Sequence, residues 1–295
     1  MTSNRCELSA IIISYNGQQF LADCLSTLIR ELNGVKSEIL VVDNGSTDGS
    51  PDLIRSQFPS VTLIANDSNL GFARAVNIGL KEARGEYLFI LNQDLRFRPG
   101  AVSSLLARLK ADSGIGLIGP KFVGFDGRLQ KSARAFPSYR HVLYEALFLP
   151  QLFPLHREFS SWRMGWFDHE SERFVDQPMG SAMLLSRHLA DAVGDFDERF
   201  PIFFNDVDYC RRLHAAGYRC LYYPVAVVEH YWGGSVRQRP VKMKVQSMIS
   251  FYCYLSKYAS RWELPLLWGT GLIMMLAMGP LLLITYLANR EINTH

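Results

Sequence analysis

Between Leu8 and Ala111, short apolar runs rich in β-branched residues alternate with segments whose apolar residues recur at helical spacing. "LSAIIISYN" predicts a strand, and "GQQFLADCLSTLIREL" carries Phe20, Leu21, Cys24, Leu25, Leu28, Ile29 and Leu32 along one helical stripe. "SEILVVD", "VTLIAND" and "GEYLFILNQD" repeat the first pattern. "PDLIRSQF", with Pro51 in its first turn, "GFARAVNIGLKEA" and "GAVSSLLARLKAD" repeat the second. The runs are unbroken rather than alternating, as strands buried on both faces are. Strands and helices in turn at this interval predict βαβ units and an α/β fold, a mostly parallel sheet flanked by helices.

Each predicted strand stops on polar residues: Ser14-Tyr15-Asn16, Asp43-Asn44, Asn66-Asp67 and Asn92-Gln93-Asp94. One strand-end carboxylate is an ordinary turn or helix cap. Four polar ends in series predict a shared ligand site, because ligands of open parallel sheets sit beyond the carboxyl ends of the strands. No glycine-rich dinucleotide fingerprint follows the first strand, and the chain holds no P-loop. A bound nucleotide would therefore be held by side chains. Asp43 can accept from a base or ribose; Arg74 either reaches phosphate or stands on a solvated helix face.

After residue 115 the pattern loosens. "GLIGPKFVGFDGRLQ" predicts strands around a turn at "FDGR", and residues 136–175 are aromatic and loop-rich, a variable surface or a partner contact. "FVDQPMGSAMLLSR" regains strand character, "NDVDYCRRLHAAG" is a helix with an acidic first turn, and "YRCLYYPVAVVEHYWGG" reads as a strand pair with a proline turn.

A chain of 295 residues, 48% hydrophobic and 20% charged, has material for one large α/β domain, or for one domain plus an appendage. A net charge of +3 gives no argument for nucleic acid. The five cysteines form no CxxC pair, which fits reduced thiols in the cytosol rather than a disulfide framework or zinc site. The opening residues lack the basic start and long apolar run of a signal peptide. Residues 264–289 carry no charge, and about 25 helical residues span roughly 37 Å, enough for a hydrocarbon core of about 30 Å. This predicts a C-terminal transmembrane helix. The basic residues Arg237, Arg239, Lys242, Lys244, Lys257 and Arg261 before it predict that the bulk of the chain lies in the cytoplasm. Residues 237–263 suit either an amphipathic helix at the membrane interface or one packed on the domain.

The segments "AIIISYNGQQFLADCLSTL", "ILVVDNGSTDGS", "NLGFARAVNIGL" and "GEYLFILNQDL" resemble, in that order, the family 2 glycosyltransferases. "FDERFPIFFNDVDYCRRLHAAGYRCLYYPVAVVEHYWGGS" resembles the acceptor half of the same family, notably its bacterial rhamnosyltransferase-like members. The resemblance covers residues 8 to 236 and implies a GT-A type fold, with residues 1–115 as the nucleotide-sugar half and 116–236 as the acceptor half. It implies inverting transfer from a nucleotide-diphosphate sugar. Ser14, Tyr15, Asn16, Asp43, Asn69, Arg74, Asn77, Asn92, Gln93 and Asp94 become the expected donor-binding residues.

In the family the acidic strand-end motif, usually DxD, holds a divalent cation on the donor diphosphate. Here it reads Asn92-Gln93-Asp94, so one carboxylate remains, which suffices for Mg²⁺ because that ion usually keeps several waters. His230 matches the family's later metal-side histidine, and with it Mn²⁺ becomes plausible; taken alone, His230 is undecided. The family's base maps onto Asp206, the first carboxylate of "NDVD", which would take the acceptor's proton in a single displacement. Asp208 falls at a helix start, where a carboxylate also suits the dipole. Gly180, in "QPMGSAML", permits close approach of a sugar or marks a bulge. Trp162, Trp166, Tyr231 and Trp232 suit sugar stacking or core packing equally; Trp232 and Asp208 are expected on the acceptor side.

The leading expectation is transfer of rhamnose from dTDP-rhamnose to a lipid-linked or cell-surface saccharide. A UDP-hexose donor, or a noncatalytic nucleotide-sugar-binding membrane protein, are the alternatives. A nucleotidyltransferase would need a glycine- and lysine-rich phosphate loop that "SYNGQQF" does not offer.

Overall fold

A computed structural model describes residues 6–231, 240–272 and Gly279. The elements in chain order are β1 (Leu8–Ser14), α1 (Gln18–Glu31), β2 (Ser37–Asp43), α2 (Ser50–Gln57), β3 (Thr62–Ala65), α3 (Phe72–Glu82), β4 (Tyr87–Asn92), β5 (Leu95–Phe97) and α4 (Ala101–Lys110). There follow β6 (Ile115–Val123), β7 (Leu129–Gln130), β8 (Ala133–Arg134), α5 (Tyr139–Ala146), α6 (Leu149–Leu152), β9 (Arg173–Val175), β10 (Gln177–Pro178) and β11 (Ala182–Ser186). The last are α7 (Arg187–Val193), α8 (Asn205–Ala215), β12 (Arg219–His230) and α9 (Pro240–Tyr258).

The main sheet runs β3-β2-β1-β4-β11-β6-β12-β5, with β7 on β6 and β9 on β12. The expected parallel pairing holds for β3-β2-β1-β4 and for β6-β12. The strands β5, β7, β9 and β11 enter antiparallel, so the second half of the sheet is mixed. The predicted strand pair after Tyr218 is a single strand, β12, whose register on β6 shifts between Tyr223 and Val227. Pro224 lies in that irregular stretch, where the missing N–H breaks no ladder rung.

Leu8, Ala10, Ile11 and Ile12 of β1 are all fully buried, as the unbroken apolar run requires. Ile12 and Val41 face the cluster that includes Leu21, Leu25 and Leu28 of α1 and Leu105 of α4. Each such side chain contributes about 1.5–3 kcal/mol by leaving water.

Register decides what meets at the carboxyl ends. In β1 and β2, Ser14 lies opposite Asp43, and in β1 and β4, Ile13 lies opposite Asn92. Ala182 of β11 pairs with Leu91, and the Asn92 N–H donates to the Ser181 carbonyl at 2.9 Å. His230 pairs with Leu95, and the Tyr231 N–H donates to the Asp94 carbonyl at 3.0 Å. Two residues far apart in sequence, Asp94 and His230, are thereby fixed side by side.

The chain divides into two compact units, residues 1–134 with 169–234, and residues 135–168 with 235–295. In the second, the Trp162 ring stacks on Phe251 of α9 at 5.1 Å, and the Arg163 guanidinium forks onto Glu145 at 2.9 and 2.6 Å. Residues 263–272 are helical, with Leu267 buried and Trp268 exposed. Among the described residues no helix is long and apolar enough to cross a membrane. The segment expected to span one, 264–289, lies outside the described residues beyond 272, Gly279 apart.

Candidate active site

The first cluster gathers at the ends of β1, β2 and β3. Asp43 is 1% exposed. Its Oδ2 accepts from the Ser46 N–H at 2.9 Å, while its buried Oδ1 has no hydrogen-bond partner. A lone pair left without a donor in the interior is costly, so it marks a position where a ligand N–H or O–H would be favoured. Asn16, in the left-handed region at φ 44°, ties β1 to the loop after β2: its N–H donates to Ser46 Oγ at 2.9 Å, and its Oδ1 accepts from Thr47 N at 2.8 Å.

Several expected donor-binding residues are engaged with the protein itself. Gln93 is a clamp: its Oε1 accepts from Ser14 Oγ at 2.8 Å and Tyr15 N at 3.0 Å, and its Nε2 donates to the Tyr15 carbonyl at 2.9 Å. A Cβ on Gly17 would fall 2.1 Å from that amide, so only glycine fits beneath it. Asn77 is 3% exposed; its amide donates to the Phe196 carbonyl at 2.9 Å and its Oδ1 accepts from the Phe196 N–H at 2.8 Å. Asn69 Oδ1 accepts from Asn44 Nδ2 at 3.2 Å and Gly71 N at 2.9 Å. Asn77, Gln93 and Asn69 thus staple loops through the atoms named. Arg74 is exposed in the first turn of α3.

The second cluster surrounds Asp94. Its Oδ1 is buried without a hydrogen-bond partner and lies 3.6 Å from His230 Nε2. Burial pushes the Asp94 carboxyl up to about 6 and the His230 imidazole down to about 4. At neutral pH the carboxylate is charged and the imidazole is not, so the contact is no ion pair. Ser181 Oγ stands 3.5 Å from the same Nε2 and 3.2 Å from Asn92 Nδ2. A carboxylate oxygen and a ring nitrogen 3.6 Å apart are the kind of ligand pair that suits a divalent cation. Among the described residues no cluster of three or more histidine, cysteine or acidic side chains exists that could hold a metal. The protein would thus supply two ligands and leave the remaining positions to other oxygens.

The third cluster holds Asp206, the second residue of α8, which follows Phe204 in the left-handed region at φ 67°. Asp206 is half-buried. Its Oδ2 accepts from Gln177 Nε2 at 2.7 Å and Gly180 N at 3.1 Å, and its Oδ1 from Val207 N at 2.9 Å. Desolvation raises the carboxyl above its ordinary value, and these three donors oppose the rise. A Cβ on Gly180 would lie 2.7 Å from the Asp206 Cβ and Oδ2. The glycine is therefore required by the approach of Asp206, and sugar contact is not needed to explain it.

Asp208 is fully buried, and the Arg212 Nε donates to its Oδ2 at 2.9 Å. The same guanidinium reaches the carbonyls of Val193 and Asp195 at 2.7 and 2.8 Å, so Asp208 anchors α8 to the end of α7. Tyr231 packs between Phe20 and Phe125, at 4.4 and 5.8 Å; Trp166 lies under the Arg157 guanidinium at 5.0 Å. Trp232 lies outside the described residues. The residues that sequence reasoning missed are Gln130, Gln177 and Ser181. Gln177 and Ser181 flank Gly180 in the "QPMGSAML" stretch, and only their position beside that glycine pointed to them.

The sequence profile described as Glycosyl transferase family 2 matches residues 9–172. The chain belongs to glycosyltransferase family 2. It is 31% identical over 242 residues, 78% of each chain, to the N-acetylglucosaminyl-diphospho-decaprenol L-rhamnosyltransferase of Mycobacterium tuberculosis. Over 140 residues, 46% of this chain and 38% of the relative, it is 30% identical to a dolichol-phosphate mannosyltransferase of Pyrococcus furiosus. The fold of this glycosyltransferase is that of the GT-A class. A mannosyltransferase from Pyrobaculum calidifontis, solved with GDP-Man and Mn²⁺, superposes with a TM-score of 0.60 at 17% identity, over 99% of this chain and 81% of that one. A GalNAc transferase solved with UDP, GalNAc and Mn²⁺ gives 0.57 at 17% identity, over 78% and 44%.

Proposed function

We propose that this glycosyltransferase moves rhamnose from dTDP-rhamnose onto a lipid-linked saccharide, with inversion at the transferred carbon. The similarity to the mycobacterial rhamnosyltransferase, extending over 78% of both chains, carries the choice of sugar and acceptor class. In this reading residues 1–115 bind the donor and 116–236 the acceptor. The buried Asp43 Oδ1 accepts the imide N–H of the pyrimidine, and exposed Arg74 is a cation that would reach phosphate.

Asp94 and His230 would hold a divalent cation, Mg²⁺ or Mn²⁺. Such an ion, when bound, offsets the negative charge of the departing diphosphate. The chain's own chemistry rests on Asp206. Its Oδ2 is fixed by Gln177 and Gly180, so the carboxylate is oriented before any acceptor arrives. As the acceptor oxygen bonds to the sugar's anomeric carbon, the bond from that carbon to the diphosphate oxygen breaks and the hydroxyl proton passes to Asp206. One displacement gives one inversion.

The uncharged run 264–289 supports attachment to the cytoplasmic face of a bacterial inner membrane, where a polyprenyl-linked acceptor would be found. The deciding assay supplies purified protein with dTDP-rhamnose, UDP-glucose, UDP-galactose and UDP-GlcNAc in turn, together with a polyprenyl-diphosphate-linked GlcNAc acceptor. Rhamnosylated lipid from dTDP-rhamnose alone is expected. Faster transfer from any UDP-hexose would overturn the donor assignment.

A further inference from the structure

We infer that Gln130 is a positioning residue that holds the His230 ring in the one tautomer able to bind a cation through Nε2. The inference rests on the reading in which Asp94 and His230 hold a metal. Gln130 ends β7, the second arm of a hairpin whose turn closes through Gly124 N to the Arg128 carbonyl at 2.7 Å. Its Cα partner on β6 is Phe122, which pairs on its other side with Val228 of β12. The hairpin thus delivers the Gln130 amide to the end of the strand that carries His230.

The amide makes two bonds there. Nε2 donates to the His230 carbonyl at 2.8 Å, and Oε1 lies 2.9 Å from His230 Nδ1. The pair fixes its own polarity. Exchanging the amide nitrogen and oxygen would set Oε1 against the backbone carbonyl, two acceptors with no proton between them. Oε1 can only accept, so Nδ1 carries the proton. A neutral imidazole has one N–H, which leaves Nε2 with its lone pair. That lone pair faces Asp94 Oδ1 at 3.6 Å. Phe122 packs against the ring at 5.5 Å between centroids, so ring tilt is restrained as well as tautomer. Histidines that bind metals ordinarily donate their other N–H to an oxygen that orients them, and losing that partner costs about 10–100-fold in metal affinity.

A plain strand staple would use only the bond from Nε2 to the carbonyl, so the test must read the ring. Long-range proton–nitrogen NMR on metal-free protein should show His230 protonated at Nδ1. In Gln130→Met, which keeps the length of the side chain but has only a weak thioether acceptor, the Nε2–H form should appear. Mn²⁺ titration followed by electron paramagnetic resonance, with dTDP present, should give about 10–100-fold weaker binding in Gln130→Met. A folded Gln130→Met with unchanged tautomer and unchanged Mn²⁺ affinity overturns the inference. His230→Ala separates this from the parent reading: if it binds Mn²⁺ like the wild type, the metal assignment itself has failed and the inference falls with it. Should Gln130→Met not fold, the wild-type spectrum decides, and an Nε2–H resonance for His230 overturns the inference.

Discussion

The backbone N–H of Gly180 donates to Oδ2 of Asp206 at 3.1 Å, and the next residue, Ser181, places its Oγ 3.5 Å from His230 Nε2. Two consecutive residues therefore touch the proposed base and the proposed metal side. In the proposed roles, the short segment between β10 and β11 would set the spacing between proton acceptance and diphosphate departure, and errors in it would be felt by both.

Gly180→Ala is the sharpest probe of that coupling. The added methyl would lie 2.7 Å from Asp206 Oδ2, so the carboxylate must move. A displacement of about 1 Å costs on the order of 10²-fold in turnover, and such a fall is expected with little loss of fold. Steady-state kinetics beside thermal unfolding check it; near-normal turnover would show that Asp206 tolerates displacement and is not the reacting group.

The parallel half of the sheet was legible because each element declares itself locally: Ile11, Ile12 and Ile13 in a row, or Leu21, Leu25 and Leu28 along a stripe. The single bulged β12 was misread as two strands, since Pro224 signals a break to any local rule. Asp94, His230 and Asp206 were legible as charged or titratable residues in recognisable motifs. That Asn77 and Gln93 staple loops was not legible, because a side chain that staples a loop and one that binds a sugar have the same composition. Gln130 escaped notice for the opposite reason. It is a neutral residue whose partner, His230, is 100 positions away in sequence, and no local pattern records that pairing.

Asp43→Asn should weaken binding of nucleotides whose pyrimidine carries an imide N–H. The amide oxygen would keep the bond from Ser46 N, which turns an NH₂ toward the position of the partnerless Oδ1. An imide N–H would then meet a donor. Losing a hydrogen bond to a charged acceptor costs about 1.5–3 kcal/mol, or roughly 10–10²-fold in donor KM, with kcat little changed. Competition by dTDP and UDP in the variant measures it, and unaltered inhibition would remove Asp43 from base recognition.

The acid limb of kcat should reflect Asp206. Desolvation raises its carboxyl above the ordinary 3.8. The base works only when deprotonated, so activity is full above the raised value and is lost as pH falls through it. Residual turnover in Asp206→Asn should lack this limb. A pH–rate profile with the same limb in both proteins would assign it to another group.

Removal of residues 264–295 should move the protein from the membrane pellet to the high-speed supernatant, because the uncharged run is lost with them. Full-length protein that stays in the supernatant without detergent would contradict the attachment.

The contrast between Asp206 and Asp208 separates chemistry from architecture, since both lie in the first turn of α8. Asp206→Asn removes the proton acceptor and should lower turnover by about 10²–10⁴-fold, near 3–5 kcal/mol of barrier, with donor binding retained. Asp208→Asn leaves the Arg212 guanidinium without its buried carboxylate and loosens the hold of that guanidinium on Val193 and Asp195. The cost should appear as about 1–3 kcal/mol of stability, below the usual figure for a fully buried pair because the Arg212 side chain is 25% exposed. Turnover per folded molecule should fall much less than in Asp206→Asn. Equilibrium unfolding and single-turnover kinetics on both variants give the two axes. If Asp208→Asn is stable and inactive while Asp206→Asn turns over normally, the two roles are exchanged; if both remain active, the acceptor's proton goes to a group outside α8.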